Sequence, residues 1–373
     1  MRVAVVGAGA FGRNHLRVYR ELETAGLGAA LAAVVEPDAK RAGEAAAQYG
    51  IPVFSTIDEL LRADLDIHAA SVAVPTVHHH AAASALLDAG LDLLVEKPLA
   101  ANLAEADDLI EKAEKNNREK GSLIVQPGHL ERFNPAVLAI EPRLTRPMFF
   151  EAHRLSVFTP RALDVDVVLD LMIHDLDIVL AFAHSPVREV RAVGLPILSP
   201  RVDIANVRVE FESGCVANFT ASRVSTEQVR KLRFFEPRQY VSIDYARRDL
   251  LVIRVDDAVS KLPAELAAAI AAGKIDAAAL AQLAANAPAG AAPGMQFVKP
   301  EVAPGEPLKL EILSFVDAVR TRATPRVTAR QGRAALELAL EIQSTMVAHA
   351  HRAGLVDFFQ SGKLLTQPAP PLG

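Results

Sequence analysis

The sequence is poor in cysteine, aromatic residues and basic charge. Its single cysteine, Cys215, excludes an internal disulfide framework and a cysteine-rich metal site in these 373 residues. Because free cysteines are usually buried, we expect Cys215 to pack in a core strand, as in proteins of a reducing compartment. Tryptophan is absent, and aromatic residues make up only 5%. The 40 basic and 45 acidic side chains give a net charge of −5, which argues against a general nucleic-acid-binding protein.

Long apolar runs are also missing. None approaches the roughly 20 residues that a membrane helix needs. The first residues, MRVAVVG, lack the charged segment, longer apolar stretch and cleavage site of a secretory signal. We therefore expect a cytoplasmic protein with no membrane partner. A hydrophobic content of 51% is nevertheless enough for a large core and excludes wholesale disorder.

The order of strands and helices predicts two domains. Residues 1–126 alternate short apolar strands with helices, which predicts right-handed crossovers and a parallel sheet. After Gln126, consecutive strand-like runs joined by short turns predict an antiparallel sheet. The expected fold is an α/β domain over 1–126, followed by an α+β domain over 127–373 with a large, mainly antiparallel sheet. An alanine-rich stretch at about 258–293 is interpreted as an insertion in the second domain.

A glycine-rich turn directly follows the first strand. From residue 7 the turn has the sequence Gly-Ala-Gly-Ala-Phe-Gly, the GxGxxG pattern, and it opens a helix. Gly7 permits a tight turn, Gly9 lets the backbone approach a pyrophosphate, and Gly12 lets the helix pack closely on the strand. The first helical N–H groups, around Ala10 and Phe11, offer hydrogen bonds to phosphates. The turn predicts a dinucleotide site in a Rossmann domain.

Glu36 bears on the choice of dinucleotide. It lies at the end of the second strand, 24 residues after Gly12, where an acid that binds the ribose is expected. A carboxylate there accepts a hydrogen bond from the 2′-hydroxyl of NAD and repels the 2′-phosphate of NADP. Lys40 and Arg41 either offset that repulsion or are solvated helix charges. The sequence therefore favours NAD over NADP.

Two further motifs, VPTVHH and VEKP, follow strands of the same predicted sheet. Together with the glycine turn they resemble the Gfo/Idh/MocA oxidoreductases, a resemblance that covers nearly the whole chain. It implies that Val74, Pro75 and His79 flank the nicotinamide side of the cofactor. It also implies that Glu96 and Lys97 belong to a cofactor-binding turn and that Lys97 is an active-site residue. Val74 replaces the family's usual threonine, so any hydroxyl contact from that position is lost.

A third motif lies in the second domain. The segment DLMIHDLD, which begins at Asp170, is similar to the family's D-x-G-x-H-x-x-D, with Met172 at the glycine position. On an α-helix Asp170 and His174 are i and i+4, hence neighbours on one face. A histidine beside helical carboxylates is usually part of a surface ion pair. With the resemblance we interpret the two as a catalytic pair, in which His174 is the general base and Asp170 orients it.

Lys97 is expected to act on the same substrate oxygen as His174. The resemblance implies that it hydrogen-bonds the substrate oxygen and stabilises its developing negative charge. The alternative is that Lys97 is the base. Its pKa would then have to fall by several units from the usual value of about 10.4, through burial and nearby charge. No metal is expected. The consecutive histidines at 78, 79 and 80 point in different directions around a helix and do not converge on an ion.

The stretch GHLERFNP at residues 128–135 is similar to the sugar-nucleotide branch of the family. It implies a small-molecule substrate such as UDP-N-acetylglucosamine, oxidised by NAD at its 3-hydroxyl. Candidate substrate contacts, besides Lys97 and His174, are Arg132, Asn134, Arg154 and Arg161, since guanidinium groups bind phosphate bidentately. The alternative is that Arg154 and Arg161 pair with Glu131, Asp164 or Asp166.

Two other functions remain open. One is a dehydrogenase of a free sugar or cyclitol, similar to the inositol dehydrogenases. The other is a non-catalytic NAD-binding regulator, which the intact catalytic motifs argue against. Strands of the second domain carry apolar residues at alternate positions, as at Val207, Val209 and Phe211, more than local helices can cover. Because the family's dimers and tetramers pair such sheets, we expect a homodimer or homotetramer assembled through this sheet.

Overall fold

The computed structural model of the protein describes residues 1–120, 123–158, 165–199, 201–255 and 295–355. Arg161 and the predicted alanine-rich insertion lie outside these ranges. Within them the chain forms two units, each built on one β-sheet. None of the described helices has the length and apolar content needed to cross a membrane.

The first unit is a parallel sheet with helical crossovers. Its described elements are β1 (Arg2–Val6), α1 (Ala10–Thr24), β2 (Ala30–Val35), α2 (Ala39–Tyr49), β3 (Val53–Phe54), α3 (Ile57–Arg62), β4 (Ala69–Val72), α4 (His79–Asp88), β5 (Asp92–Glu96), α5 (Leu103–Lys120) and β6 (Val125–Gly128). The described strands lie in the order β3-β2-β1-β4-β5-β6, and all neighbours are parallel. The predicted Rossmann architecture is confirmed.

The carboxyl ends of the central strands gather the predicted motifs at one edge. The glycine turn follows β1, Glu36 follows β2, the Val74 segment follows β4, and Lys97 follows β5. The strand order reverses between β1 and β4, and open α/β sheets bind ligands at such a switch point. This topology therefore brings together motifs that are far apart in sequence.

Sequence periodicity missed two short elements of this unit. Strand β3 has two residues and α3 has six, too few for a recurring apolar pattern. The sequence does mark the start of α3, with Thr56 followed three residues later by Glu59. In the structure Thr56 accepts a hydrogen bond from the Glu59 backbone N–H at 3.2 Å, and Glu59 accepts from the Ser55 N–H at 2.8 Å. A threonine followed by a glutamate three residues later is a sequence signal for a helix start.

The second unit is built on a larger sheet. Its elements are α6 (Pro135–Ile140), β7 (Phe149–Val157), α7 (Ile173–Ala183), β8 (Val187–Leu195), β9 (Ile204–Phe211), β10 (Val216–Ser225), β11 (Val229–Glu236), β12 (Gln239–Asp244), β13 (Asp249–Val255), β14 (Met295–Val298), α8 (Pro307–Thr321) and α9 (Ala329–Arg352). The described strands run β14-β13-β12-β11-β7-β10-β9-β8. Only β7 and β10 pair in parallel among them, so the predicted mainly antiparallel sheet is confirmed.

Helices α7 and α9 cover one face of this sheet. Val207, Val209 and Phe211 point into that core and are fully or almost fully buried, as is Cys215. The expectation that the three β9 side chains form an uncovered apolar face is therefore wrong, because they point toward the helices. The opposite face of β9 carries the exposed Arg208 instead. The oligomeric state stays a prediction.

Helix α8 returns to the first unit although it follows the large sheet in sequence. Ile312 and Phe315 are fully buried in one cluster with Val3 and Leu16. At the helix start, Glu306 accepts ion-paired hydrogen bonds from Arg17 of α1. The domain boundary after Gln126 stays a prediction. The core of the first unit also includes side chains of α8, which lies far beyond that boundary in the sequence.

The segment that leads into α7 is not a regular helix. Residues Val168–Met172 form a π-helical turn that continues into α7. The buried Asp166 holds its start, because Oδ1 accepts from the N–H groups of Val168 at 2.7 Å and Leu169 at 3.2 Å. The α-helical spacing assumed for Asp170 and His174 is therefore wrong, because Asp170 lies in the π-turn. Such π-turns recur at functional sites.

Candidate active site

The glycine turn has the geometry that a pyrophosphate requires. Gly7 has a φ of +95°, and a Cβ there would lie 2.7 Å from the Ala73 carbonyl oxygen. A Cβ on Gly12 would lie 1.9 Å from the Gly7 carbonyl oxygen, so only glycine permits this helix–strand contact. At Gly9, by contrast, a Cβ would meet nothing within 4 Å. This open side gives a ligand access to the first turn of α1, whose N-cap has no side-chain hydrogen bond.

Glu36 is held in place beside the glycine turn. Its Oε2 accepts from the Ala8 N–H at 2.7 Å, and its Oε1 accepts from the Asp38 N–H and from Arg41 Nη2, both at 3.0 Å. Burial favours a higher pKa, but hydrogen bonds from Arg41 and the two backbone groups bring the Glu36 pKa below its usual value. A carboxylate has about four acceptor sites, so capacity remains for a ribose hydroxyl. The residues present fit a dinucleotide.

The two motif turns after β4 and β5 are joined by a buried histidine. His79 Nδ1 lies 2.8 Å from the Pro98 carbonyl oxygen, and Nε2 lies 2.9 Å from that of Val74. The Lys97–Pro98 peptide is cis. With both ring nitrogens engaged and only 1% exposure, His79 positions the two turns and does not offer a nitrogen to a cofactor. The expectation of a direct contact from His79 is corrected accordingly; Val74 and Pro75 stay predicted contacts.

Glu96 points into the protein. Its Oε1 lies 2.9 Å from His15 Nε2 on α1, and both residues are buried. Its Oε2 accepts a long hydrogen bond of 3.3 Å from the Lys97 backbone N–H. Glu96 therefore supports the turn that carries Lys97, and the expected direct cofactor contact is not favoured.

Lys97 reaches across to the second unit. Its Nζ donates to the Asp170 main-chain oxygen at 2.8 Å and lies 4.0 Å from Asp170 Oδ1. Burial lowers the pKa of Lys97, opposed by the negative charges of Asp170 and Glu96. The structure thus brings together the two predicted catalytic segments, which are 73 residues apart at this contact.

Asp170 does not orient His174 as expected. The structure places its carboxylate near Lys97, and His174 Nδ1 is buried without a hydrogen-bond partner among the described residues. The reason is the π-turn, whose extra residue per turn removes the i, i+4 alignment that an α-helix would give. Burial, and then the charges of Lys97 and Arg154, lower the pKa of His174 well below 6.5. The imidazole is therefore neutral at neutral pH.

Arg154 is committed to buried carboxylates. Its Nε and Nη2 donate to Asp175 at 2.7 and 3.0 Å, and its Nη1 donates to Glu131 at 3.1 Å. The guanidinium also lies over the Tyr245 ring, 5.2 Å from its centroid. The expected role in binding phosphate is therefore corrected. Glu131 was one of the predicted alternative partners, and Asp175 was not.

Asn134 and Arg132 are also structural. Asn134 is the N-cap of α6, where Oδ1 accepts from the Ala136 N–H at 3.2 Å, and its amide donates to Glu131 and to the Tyr245 carbonyl, both at 3.1 Å. Arg132 is 4% exposed, too little to bind a substrate phosphate. Neither side chain is therefore open to a direct substrate contact, contrary to the expectation from sequence.

A buried polar cluster behind Lys97 was not anticipated. Within the described residues, several of its side-chain atoms have no hydrogen-bond partner, and they belong to Gln126, His129, Arg132, Asp177 and Glu311. Each unsatisfied buried group costs about 1–3 kcal/mol. Folded proteins satisfy such groups with ordered water. Burial, then the charges of Glu96 and Asp177, raise the pKa of Glu311 well above its usual value, which favours the protonated carboxyl.

Arg230 is a second feature that sequence reasoning missed. It is exposed and lies directly opposite Arg154 in the register of β11 and β7, so both side chains project from the same face of the sheet. Its charge helps to lower the pKa of His174. The signal was available in the strand alternation of β11, where Arg230 shares a face with the buried Leu232 and Phe234.

Known sequence families match consecutive parts of this chain. The oxidoreductase family with an NAD-binding Rossmann fold matches residues 1–121, and the GFO/IDH/MocA C-terminal domain matches residues 137–237. UDP-N-acetylglucosamine 3-dehydrogenase of Acidithiobacillus ferrooxidans is 36% identical over 251 residues, 67% of this chain and 76% of that enzyme. The chain belongs to the Gfo/Idh/MocA oxidoreductase family. It is an NAD-binding oxidoreductase that acts on CH–OH groups.

The chain is also similar to a solved structure and to a further dehydrogenase. The solved structure of the Acidithiobacillus ferrooxidans enzyme superposes with a TM-score of 0.79 at 30% identity, covering 96% of this chain and 99% of that chain. Inositol 2-dehydrogenase of Leifsonia xyli subsp. xyli is 31% identical over 197 residues, 51% of this chain and 56% of that enzyme. The predicted family and cofactor are confirmed.

We predict that Glu36→Gln weakens NAD binding by about 10- to 100-fold, because a hydrogen bond to a charged acceptor is lost. NADP binding should change less, so the preference for NAD narrows. Titration of both cofactors by calorimetry measures this. Glu44→Gln, an exposed glutamate on the same helix as Arg41, is the control and should bind NAD normally. Unchanged NAD affinity in Glu36→Gln would contradict the assignment.

Proposed function

We propose that the protein oxidises the 3-hydroxyl of UDP-N-acetylglucosamine to a 3-keto sugar with NAD. The observation that carries this proposal is the similarity to the Acidithiobacillus ferrooxidans 3-dehydrogenase, which extends over 96% of this chain in structure. The HLERFNP segment supports the same branch, although its buried arginine and asparagine act by shaping the site. NAD, when bound, supplies the acceptor for the hydride of the carbinol carbon.

We assign different roles at the reacting oxygen to His174, Lys97 and Asp170. His174 is assigned as the acceptor of the hydroxyl proton, since its lowered pKa leaves the ring unprotonated at neutral pH. Lys97 donates a hydrogen bond to the oxygen and stabilises its developing negative charge. Asp170 acts through Lys97, since its main-chain oxygen holds the ammonium and its carboxylate lies 4.0 Å away.

Arg230 takes the substrate role first expected of Arg154. Arg230 is exposed and lies opposite Arg154, whose guanidinium is fully paired. The positive charge of Arg230 also helps to lower the pKa of His174. Guanidinium groups bind diphosphate bidentately, so Arg230 is our candidate for the diphosphate of the sugar nucleotide. Arg161, outside the described residues, stays a predicted contact.

The second candidate is oxidation of a free cyclitol or sugar. The 31% identity to an inositol 2-dehydrogenase favours it, because the Lys97 and His174 chemistry serves any secondary alcohol. A non-catalytic NAD-binding regulator is less well supported, since the ammonium of Lys97 is buried against Asp170 beside a neutral His174, an arrangement that binding alone does not need.

We predict that UDP-N-acetylglucosamine is oxidised with a kcat/KM at least about 10²-fold above that of myo-inositol or free N-acetylglucosamine, which lack the diphosphate. NADH formation at 340 nm measures the rates. Substrate deuterated at C3 should be oxidised more slowly, whereas deuteration at C4 should have no such effect. Faster turnover of inositol would favour the second candidate.

We predict that Arg230→Gln raises the KM for the UDP-sugar by about 10-fold or more, because a charge-assisted contact to phosphate is lost. Its affinity for NAD should not change. Arg233→Gln is the matched control, since Arg233 projects from the opposite face of the same strand. Equal KM values for the two variants would remove Arg230 from the substrate site.

We predict that Lys97→Ala and His174→Ala each lower kcat by at least about 10²-fold, the low end for a general acid–base group. Because both act on one oxygen, the double variant should lose less than the product of the two. Asp170→Asn should cost less than either, since it acts through Lys97.

The pH dependence of this reaction checks which residue is the base. The lowered pKa of His174 in the free protein places the acidic limb of kcat/KM below pH 6.5, because activity is lost only as pH falls through that pKa. The limb should vanish in His174→Ala. Near-wild-type turnover in that variant would instead identify Lys97 as the base.

A further inference from the structure

A buried hydrogen bond joins the cofactor helix to the turn that carries Lys97. His15 lies on α1, three residues after Gly12, and is fully buried. Its Nε2 lies 2.9 Å from Glu96 Oε1. Because a carboxylate only accepts hydrogen bonds, His15 donates from Nε2. The helix that opens at the glycine turn therefore holds the last residue of β5, directly before the active-site lysine.

The Glu96 carboxylate is fixed from three sides. Besides the bond from His15, the Lys97 backbone N–H donates to Oε2 at 3.3 Å. Gly128 lies opposite Glu96 in the pairing of β5 and β6, and a Cβ there would come within 3.1 Å of Oε1. Such close packing leaves the carboxylate little room to turn. A buried group held this firmly next to a functional side chain is typical of the support that preorganises a site.

Hydrogen-bond donors surround Glu96 and not its acidic neighbour Glu311. Among the described residues, neither carboxyl oxygen of the fully buried Glu311 has a partner. Burial, then the charge of Glu96, raise the pKa of Glu311 well above its usual value. Of the two acids, Glu96 is thus the one whose negative charge is stabilised by neighbouring donors. That charge lies beside Lys97.

Glu96 also bears on the charge of the Lys97 side chain, which is 17% exposed. Burial lowers the pKa of Lys97, the negative charges of Asp170 and Glu96 oppose that effect, and Arg154 adds to it. Asp170 acts from the second unit, whereas Glu96 acts from the parallel sheet itself. The charged or titratable groups that interact with Lys97 are Asp170, Glu96, Arg154, His174 and His129.

We propose that Glu96, oriented by His15, is the positioning residue of Lys97. The carboxylate holds the lysine turn through the backbone N–H, and its negative charge helps to keep the side chain an ammonium ion. Only the ammonium form carries the positive charge that stabilises a developing negative charge on the substrate oxygen. The proposal rests on the proposed role of Lys97 in alcohol oxidation but not on which alcohol is the substrate.

The charge of Lys97 can be measured without a substrate. Competitive labelling with acetic anhydride over a range of pH, followed by mass spectrometry, gives the midpoint of its deprotonation and the plateau rate of the free amine. Glu96→Gln keeps the shape of the side chain and removes its charge. Glu105→Gln is the matched control, because Glu105 accepts from another backbone N–H of the same connection, that of Ala101, at 3.1 Å.

We expect the Lys97 midpoint to move to lower pH in Glu96→Gln, because losing a negative charge favours the neutral amine. Labelling below the midpoint should be about threefold faster or more, with an unchanged plateau. The alkaline limb of kcat/KM, where activity is lost as pH rises through this midpoint, should move with it. Glu105→Gln should match the wild type. An unmoved midpoint in Glu96→Gln overturns the proposal, even if a faster plateau shows that the turn has loosened.

Two substitutions of His15 test whether its hydrogen bond orients Glu96. In His15→Gln the amide nitrogen replaces Nε2 as the donor, whereas His15→Leu fills the space without a donor. We expect His15→Leu to lower kcat by about 10-fold or more, and His15→Gln to stay within about threefold of the wild type. NAD affinity should stay within about twofold in both, since the backbone N–H groups of α1 remain.

Thermal melting checks that the His15 variants are folded in the assay. If His15→Leu does not fold, His15→Asn replaces it, because the shorter side chain does not reach Glu96 Oε1. Wild-type kcat in the variant without a donor overturns the role of His15. So does an equal loss of kcat in His15→Gln, since the donor would then not be what matters.

Failure of the proposed function gives a different result. If the wild-type protein oxidises myo-inositol and not UDP-N-acetylglucosamine, the proposed substrate is wrong, and the His15 variants are assayed on inositol. A wild-type protein that oxidises no alcohol overturns the proposed function and the role of Lys97 together. Normal wild-type oxidation of the UDP-sugar with an unmoved Lys97 midpoint in Glu96→Gln overturns the positioning proposal alone.

Discussion

The hydrogen bond from Lys97 Nζ to the Asp170 main-chain oxygen joins the two halves of the candidate site. Lys97 is held at the edge of the parallel sheet by the turn that follows β5, and Asp170 is held by a π-turn of the second unit. Neither segment has a local reason to meet the other. Because the ammonium is largely buried, losing this acceptor would leave a charge poorly solvated. The contact therefore places the Asp170 turn of the second unit against the sheet edge where the cofactor motifs meet.

Buried charge sets which groups remain open to a ligand. The guanidinium of Arg154 donates its hydrogen bonds to Asp175 and Glu131. It therefore makes the site rigid beside His174, and each of its three nitrogens is already engaged. Removing one carboxylate from such a set typically costs about 3–5 kcal/mol, since a charge is left unpaired in the interior. The paired arginine thereby defines the wall of the site, and the arginine next to it, Arg230, remains exposed.

The parts of the site that the sequence predicted are those determined by local sterics. Gly7 and Gly12 each have backbone atoms where a side chain would stand, so their spacing alone indicates the turn. The pairings of Arg154 and Asn134 were not predictable in the same way. Their partners lie on other elements, at separations of up to 111 residues, and a sequence does not show which of several carboxylates or carbonyls will be buried beside them. Long-range pairing is decided by the completed fold.

The relation between Asp170 and His174 failed for a different reason. The motif was identified correctly, but an α-helical spacing was assumed where the chain forms a π-turn. The turn leaves His174 among the positive charges of Lys97, Arg154 and Arg230, which together with burial keep its ring neutral. The same positive field would attract a diphosphate and stabilise a developing alkoxide. The positive charges that keep His174 unprotonated would therefore also favour an anionic substrate and a developing negative charge on its oxygen.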